Sequence, residues 1–409
     1  MSGRPWGAAV RTAVLCGLLV AIEGIDTYGI SYIAPLIGVE AHIPPQRMGW
    51  VFAATVLSSL LGALGLTPLA DRIGRRRVLL VAAGLSGLGT LLTPLAHGVT
   101  TLVLLRVLVG LGFGAMLPVA VALAIEHAPP ARRALIGTLM NESVVVGSIL
   151  VGLGVALIVP GWGWRALMFS AGGVSLAAVG LAWRYLRESP QLQAVAHESR
   201  RVGSPAGLLR EGYAARTLLL VLQLSLSYLV INFAVYWQPT LILSLGHSIR
   251  FAGAFGASTQ VLAVLAGSLA GWLMDRYGAG RILFGGYASS AAMFVLAWPL
   301  APGLLQPALY LLGMSLLSAS VAGTLPFISG IYPALLRATA LGWVTGLARV
   351  PGAGGGTVLG GWIVAAGWPI NSILLAMGVG VALSGLAMAG VIRLQRSNNG
   401  EVHARQAQA

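Results

Sequence analysis

Twelve long apolar runs constrain this chain more than any other feature. A helix needs about 20 mostly apolar residues to cross the hydrocarbon core of a bilayer. Runs of that length, bounded by charge or by Pro-Gly turns, occupy residues 12–38, 47–70, 78–96, 100–125, 134–159, 164–186, 215–242, 250–273, 281–300, 304–329, 338–365 and 369–392. In lipid every backbone amide must be bonded within its own segment, and none of the runs alternates in polarity, so they are predicted as helices rather than barrel strands. Only 9% of the residues are charged and 57% are hydrophobic, against roughly 25% charged in a soluble domain. Soluble enzymes are thereby excluded, and the expected fold is an all-α integral membrane protein with 12 transmembrane helices.

The basic residues orient the helices. All 25 are arginine, against 11 acidic residues, an excess that in a polar chain would suggest nucleic acid. In so apolar a chain it belongs on cytoplasmic loops, and no nucleic-acid partner is expected. With the N-terminus inside, 20 arginines fall on the inner face and three outside (Arg47, Arg165, Arg250), while Arg106 and Arg349 lie within spans. That asymmetry predicts both termini in the cytoplasm, an even number of crossings, and a bacterial-type inner membrane as the location. The first span is too long for a signal-peptide core and is expected to be retained.

The polar stretch between spans 6 and 7 cannot bury a core and reads as a cytoplasmic linker, residues 187–214, between bundles 1–186 and 215–409. The halves repeat one another. Asp71-Arg72-Ile73-Gly74-Arg75-Arg76-Arg77 follows span 2, and Asp275-Arg276-Tyr277-Gly278-Ala279-Gly280-Arg281 follows span 8, 204 residues later. Such duplication is the mark of a transporter whose site lies near the midplane between two halves. In each copy the glycine permits a tight turn and the charges can pair with a neighbouring helix end.

The stretch Thr67-Pro68-Leu69-Ala70-Asp71-Arg72-Ile73-Gly74-Arg75-Arg76, with Arg106 followed by Gly110, Gly112, Gly114 and Pro118 in span 4, resembles the major facilitator superfamily, although Thr67 replaces a usual glycine. Within that superfamily, Glu23-Gly24-Ile25-Asp26, Tyr236-Trp237-Gln238-Pro239-Thr240 and the run from Tyr332 to Trp343 are similar to the aromatic acid:proton symporter family, as are Glu126 and the spacing of Arg337 and Arg349. Asn141-Glu142-Ser143 departs from the pattern of that family. The resemblance implies two pseudo-symmetric six-helix bundles, a small aromatic carboxylate and protons as partners, and conformational-switch loops at Asp71, Arg72, Gly74, Arg75, Glu126, Asp275, Arg276 and Arg337.

Five charges lie inside spans: Glu23, Asp26, Arg106, Glu142 and Arg349. Each costs about 2.5 kcal/mol or more at mid-bilayer and so marks function by default. At 1.5 Å per residue from the nearest inner arginine, Glu23 lies roughly 18 Å up, Asp26 roughly 22 Å, Arg349 about 18 Å and Glu142 about 13 Å, whereas Arg106 is nearer the outside. Glu23 and Asp26 share a helix face and should not both ionise easily, which is how a carboxyl group can carry a proton. With Arg106 they form the proton-coupling set, and the competing reading is a structural pair with Arg106 or with serines. Arg349 can grip a carboxylate with two parallel bonds, or it can bridge permanently to Glu142 or Glu23. Asn141, Glu142, Tyr28, Asn232, Tyr236, Trp237, Gln238 and Gln260 are the further candidates for lining the substrate site, with Tyr236 and Trp237 equally readable as interfacial aromatics.

No nucleophile elbow, zinc-helix motif or phosphate loop occurs, and without lysine the last is impossible. The six histidines fall in loops or tails and Cys16 stands alone, so neither metal nor cofactor is expected. The expected function is proton-coupled import of a hydroxybenzoate-, benzoate- or phenylpropionate-like acid by a monomer working through alternating access. The alternatives are a proton-driven exporter of drugs or metabolites on the same scaffold, and a membrane chemosensor.

Overall fold

The computed structural model describes residues 6–189, 208, 213–300, 303–333 and 336–408, and among them every long element is a helix. These are α1 (Trp6–Glu40), α2 (Pro45–Ile73), α3 (Arg75–Leu92), α4 (Val99–His127), α5 (Arg133–Tyr185), α6 (Ala214–Ser244), α7 (Ile249–Tyr277), α8 (Ala279–Ala297), α9 (Leu305–Ile331), α10 (Arg337–Arg349), α11 (Gly355–Ala365) and α12 (Ile370–Gln408). Most of the predicted linker falls outside the described residues.

Ten helices are individually long and apolar enough to cross a membrane. Two local features account for the difference from the twelve predicted spans. Predicted spans 5 and 6 run together as α5, which is broken at Gly163 (φ 77°), a left-handed conformation that glycine adopts without steric cost. Beyond it the chain folds back, since a Cβ at Gly154 would touch the Leu167 side chain at 3.0 Å. Predicted span 11 is divided into α10 and α11 by a π-turn at Val350–Gly354. Pro351 has no N–H to give the ladder, and the glycines around it tolerate the wider turn.

By contacts the chain forms two compact units. The first comprises α1 to α5 with Val235–Gln260 and Thr357–Ala366. Its interior is built from small and aliphatic side chains, among them Leu19, Ala82, Ala83, Met116, Ala120 and Leu123. In a bilayer helices associate by close packing rather than by hydrophobic exclusion, so interfaces need small residues. On α1 and α5 the need is reciprocal: a Cβ at Gly24 would meet the Val144 carbonyl, and one at Gly147 would meet that of Ala21. The same close approach joins α2 to α4, where Gly62 faces Leu111 and Gly114 faces Ser59. The second unit comprises residues 199–234, Val261–Gly356 and Gly367–Ala409, of which those from 213 carry most of the described structure. There α8 packs on α9 and α12, and the π-turn lies on α6, Gly352 against Ser225 and Tyr228.

Candidate functional site

Hydroxyl residues recur on α3 and the 3-10 turn that continues it, at Ser86, Thr90 and Thr93. Spacings of four and three put all of them on one face. That face meets Asp26 of α1. Ser86 Oγ donates to Asp26 Oδ2 at 2.6 Å and Thr90 Oγ1 donates to Oδ1. From α4, Arg106 Nη2 donates to Thr93 Oγ1 and reaches the Gly89 carbonyl at 3.5 Å. Asp26 and Arg106 are each 1% exposed and each lies in the field of the other, yet they form no direct ion pair among the described residues.

Burying a charge is costly unless it is paired and hydrogen-bonded. Here the carboxyl and the guanidinium are linked through hydroxyls and the end of α3 instead of being clamped together. A hydroxyl can donate or accept by rotating, so Asp26 can gain or lose a proton while Ser86 and Thr90 stay in place. The contacts of Arg106 do not depend on that change.

The sequence names Asp26 and Arg106 but sets them at different depths; in the structure both meet the hydroxyl face of α3 and its 3-10 extension. The alternative of a serine network is present too, because the network and the titratable group are one construction. Ser86, Thr90 and Thr93 were missed. Their signal is the i, i+4, i+7 series of hydroxyls in an otherwise apolar span, to which an intramembrane carboxylate must turn for donors.

Around this core the first unit gathers further predicted residues. Glu23 is half-buried and acts electrostatically on Tyr236, as do Tyr28 and Arg106. Gln260 Nε2 donates to the Tyr28 hydroxyl at 2.9 Å. Tyr236 and Trp237 are buried against Phe52, the first tilted at a centroid distance of 4.8 Å and the second edge-on at 5.3 Å, and Trp237 Nε1 donates to the Thr357 carbonyl. Burial removes the interfacial-belt reading of both. Gln238 is half-buried on α6. On α5, Glu142 is half-buried without an ion pair among the described residues, while the exposed Asn141 donates to the Gly137 carbonyl of its own helix.

In the second unit Arg349 ends α10, exposed, immediately before the π-turn. It is hydrogen-bonded to Tyr228 of α6, a residue the sequence reading did not name. Asn232, one turn further along α6, spends its amide on the Tyr228 carbonyl at 2.9 Å.

The two repeated loops turn at glycines of positive φ, Gly74 at 114° and Gly278 at 89°. In the first, Arg75 pairs with Glu126 of α4 and with Asp71 at 3.3 Å, while Arg72 is exposed. Glu188 closes the same turn by accepting from the backbone N–H of Arg76 at 3.0 Å, and Ser189 donates to Glu126. In the second, Arg276 lies over Trp272 and Tyr277, with no ion pair to Asp275 among the described residues. Arg337 Nε donates to the Tyr332 carbonyl at 3.1 Å.

A sequence model of the Major Facilitator Superfamily matches residues 16–356. The chain is 31% identical to a 4-hydroxybenzoate transporter of Pseudomonas aeruginosa over 92% of its own length and 91% of that protein. It is 30% identical to a 3-(3-hydroxy-phenyl)propionate transporter of Escherichia coli, covering 92% of each. Among solved structures it is similar to a bacterial homologue of the human lysosomal transporter Spinster, with a TM-score of 0.79, 18% identity and coverage of 97% and 98%.

Proposed function

The chain belongs to the major facilitator superfamily of transporters, and on that premise we propose that it is a proton-coupled symporter importing a small aromatic carboxylate across the bacterial inner membrane. The related 4-hydroxybenzoate and 3-(3-hydroxy-phenyl)propionate transporters are named for compounds that carry a ring, a carboxyl group and a hydroxyl, which supports the substrate class. The observation that carries the coupling is Asp26, enclosed with two hydroxyl partners and standing in the field of Arg106.

Protonation of Asp26 removes a negative charge from beside a permanent cation. The interior becomes more positive, and an incoming carboxylate offsets that gain. Proton and anion thus favour each other's binding, which is the differential affinity that coupled transport requires. Arg349 holds the carboxylate through its planar fork, positioned by Tyr228. Glu23, Tyr28, Tyr236 and Gln260 supply polar contacts to the rest of the molecule, with Glu142, Asn141, Asn232, Trp237 and Gln238 as further lining. Reorientation is a rocking of residues 1–186 against 215–409 about the linker, in a monomer with both termini cytoplasmic, and the repeated loops from Asp71 and Asp275 restrain it.

The test is uptake of 4-hydroxybenzoate into proteoliposomes with and without an imposed pH gradient. Wild-type protein is expected to accumulate the acid only with the gradient. Asp26→Asn is expected to exchange substrate across the membrane but not to concentrate it. Full gradient-driven accumulation by that variant would refute the role of Asp26.

A further inference from the structure

A second cluster of cation and aromatic rings lies at the linker end of α6, outside every role given above. Arg216 sits in the first turn of α6, where the helix dipole already presents positive charge. The residue is 5% exposed, and two of its three guanidinium nitrogens, Nε and Nη2, are buried without a hydrogen-bond partner among the described residues. Nor does it form an ion pair among the described residues. The guanidinium lies 5.6 Å from the centre of the Tyr213 ring, which is itself 5.4 Å from that of Tyr332.

Tyr332 does not neutralise this cation. Burial pushes its phenol above the usual range, outweighing the hydrogen bond with Thr217 and the charge of Arg216. The Tyr332 hydroxyl is therefore a neutral group, 2.8 Å from Thr217 Oγ1. A buried arginine with two nitrogens unpartnered and no ion pair among the described residues is an uncompensated charge, which is costly to a fold. The fork matches an oxyanion, and the ring pair beside it is of a kind that packs against an aromatic or acyl neighbour.

We propose that Arg216, Tyr213 and Tyr332 form an oxyanion-binding site at the linker end of α6, taking a carboxylate or phosphate group by charge-assisted hydrogen bonds from the Arg216 guanidinium. Tyr228, the partner of Arg349, lies twelve residues further along the same helix, about 18 Å away. One small aromatic acid cannot touch both positions, so this is a separate site. Its oxyanion comes either from the headgroup of an anionic phospholipid or from a free aromatic carboxylate.

The experiment measures the thermal unfolding midpoint of the full-length protein in non-ionic detergent while phosphatidylglycerol, inorganic phosphate or 4-hydroxybenzoate is titrated in. The last titration is also run in the Arg349→Gln background to remove the site proposed above. The wild type is expected to show a saturable rise in midpoint with at least one of these probes, and Arg216→Gln to lose it, with apparent affinity weaker by about tenfold or more. A rise with phosphatidylglycerol alone identifies a lipid headgroup; one with 4-hydroxybenzoate that survives Arg349→Gln identifies the free acid. Should Arg216→Gln fail to fold, Tyr213→Leu keeps the charge and removes the ring beneath it, and a reduced affinity is again expected. No rise with any probe, or a rise of equal affinity in the wild type and in whichever variant folds, overturns the proposal.

Discussion

Each half of the chain buries a polar layer among its helices, and the two layers differ in kind. In the first half it is charged: Asp26 and Arg106 with Ser86, Thr90 and Thr93. In the second half, away from Arg216 at the linker end, the layer among the described residues is made of amide and hydroxyl groups. Gln223 Nε2 donates to Ser227 and Ser384, each at 3.2 Å, and the Tyr287 and Thr324 hydroxyls meet at 3.0 Å, all of them fully buried. The 204-residue repeat sharpens the contrast. It carries Ser86 to Ser290, but Asp26 to Val230, Thr90 to Phe294 and Arg106 to Tyr310. Where the first half joins Asp26 and Arg106 through Thr90 and Thr93, the second stacks Phe294 edge-on against Tyr310 at 6.0 Å. One duplicated scaffold thus keeps its hydroxyl-rich core in both copies and its buried titratable pair in one. Neutral networks add rigidity and uniqueness to a core, whereas a proton carrier needs a group whose charge can change.

The comparison is most exposed at Arg106. Arg106→Gln removes the cation that gives the charged layer its meaning, and gradient-driven uptake is expected to fall to background in a proteoliposome assay. In a double-mutant cycle with Asp26→Asn, the losses should be far from additive, with a coupling energy of about 1–3 kcal/mol. Additive losses would break the contrast, since the two groups would then act independently.

Arg349, the substrate cation proposed for the second half, is exposed on α10 beside Tyr228, so its role should depend on geometry more than on charge. Arg349→Lys is expected to lower uptake by roughly tenfold or more, because an ammonium lacks the parallel donors. Near-normal uptake would show that charge alone suffices there.

Smaller effects should come from the hydroxyls around Asp26. Thr90→Val and Ser86→Ala each remove one hydrogen bond to a charged group, about 1.5–3 kcal/mol if the carboxylate is ionised and less if it is protonated. Their expected signature is a displaced pH profile of uptake, with substrate affinity at the optimum nearly unchanged. An unaltered profile in both would detach the network from proton handling.

The smallest effect is expected in the neutral layer. Ser384→Ala should cost about 1 kcal/mol of stability, read as a lower unfolding midpoint, while the pH dependence of uptake stays that of the wild type. A displaced profile would mean that the second layer also takes part in coupling.

The membrane helices were legible because lipid leaves the backbone a single solution, and each span could be found from apolar length without reference to its neighbours. The loop glycines, Gly74 and Gly278, were legible for a similar local reason: the turn needs positive φ. Asp26, Arg106 and Arg349 could be singled out because a charge in lipid is conspicuous in one dimension. Their partners were not. Ser86, Thr90, Thr93 and Tyr228 are ordinary residues of membrane helices, and only packing decides that they face a carboxyl or a guanidinium instead of lipid. Burial of Tyr236 and Trp237, the division of predicted span 11 and the orphaned nitrogens of Arg216 likewise depend on which neighbours are brought close. Composition and spacing determine what a chain can tolerate in a bilayer, because that is a question of solvent; which groups meet inside it is a question of distances between segments far apart in sequence, and only the tertiary structure sets those.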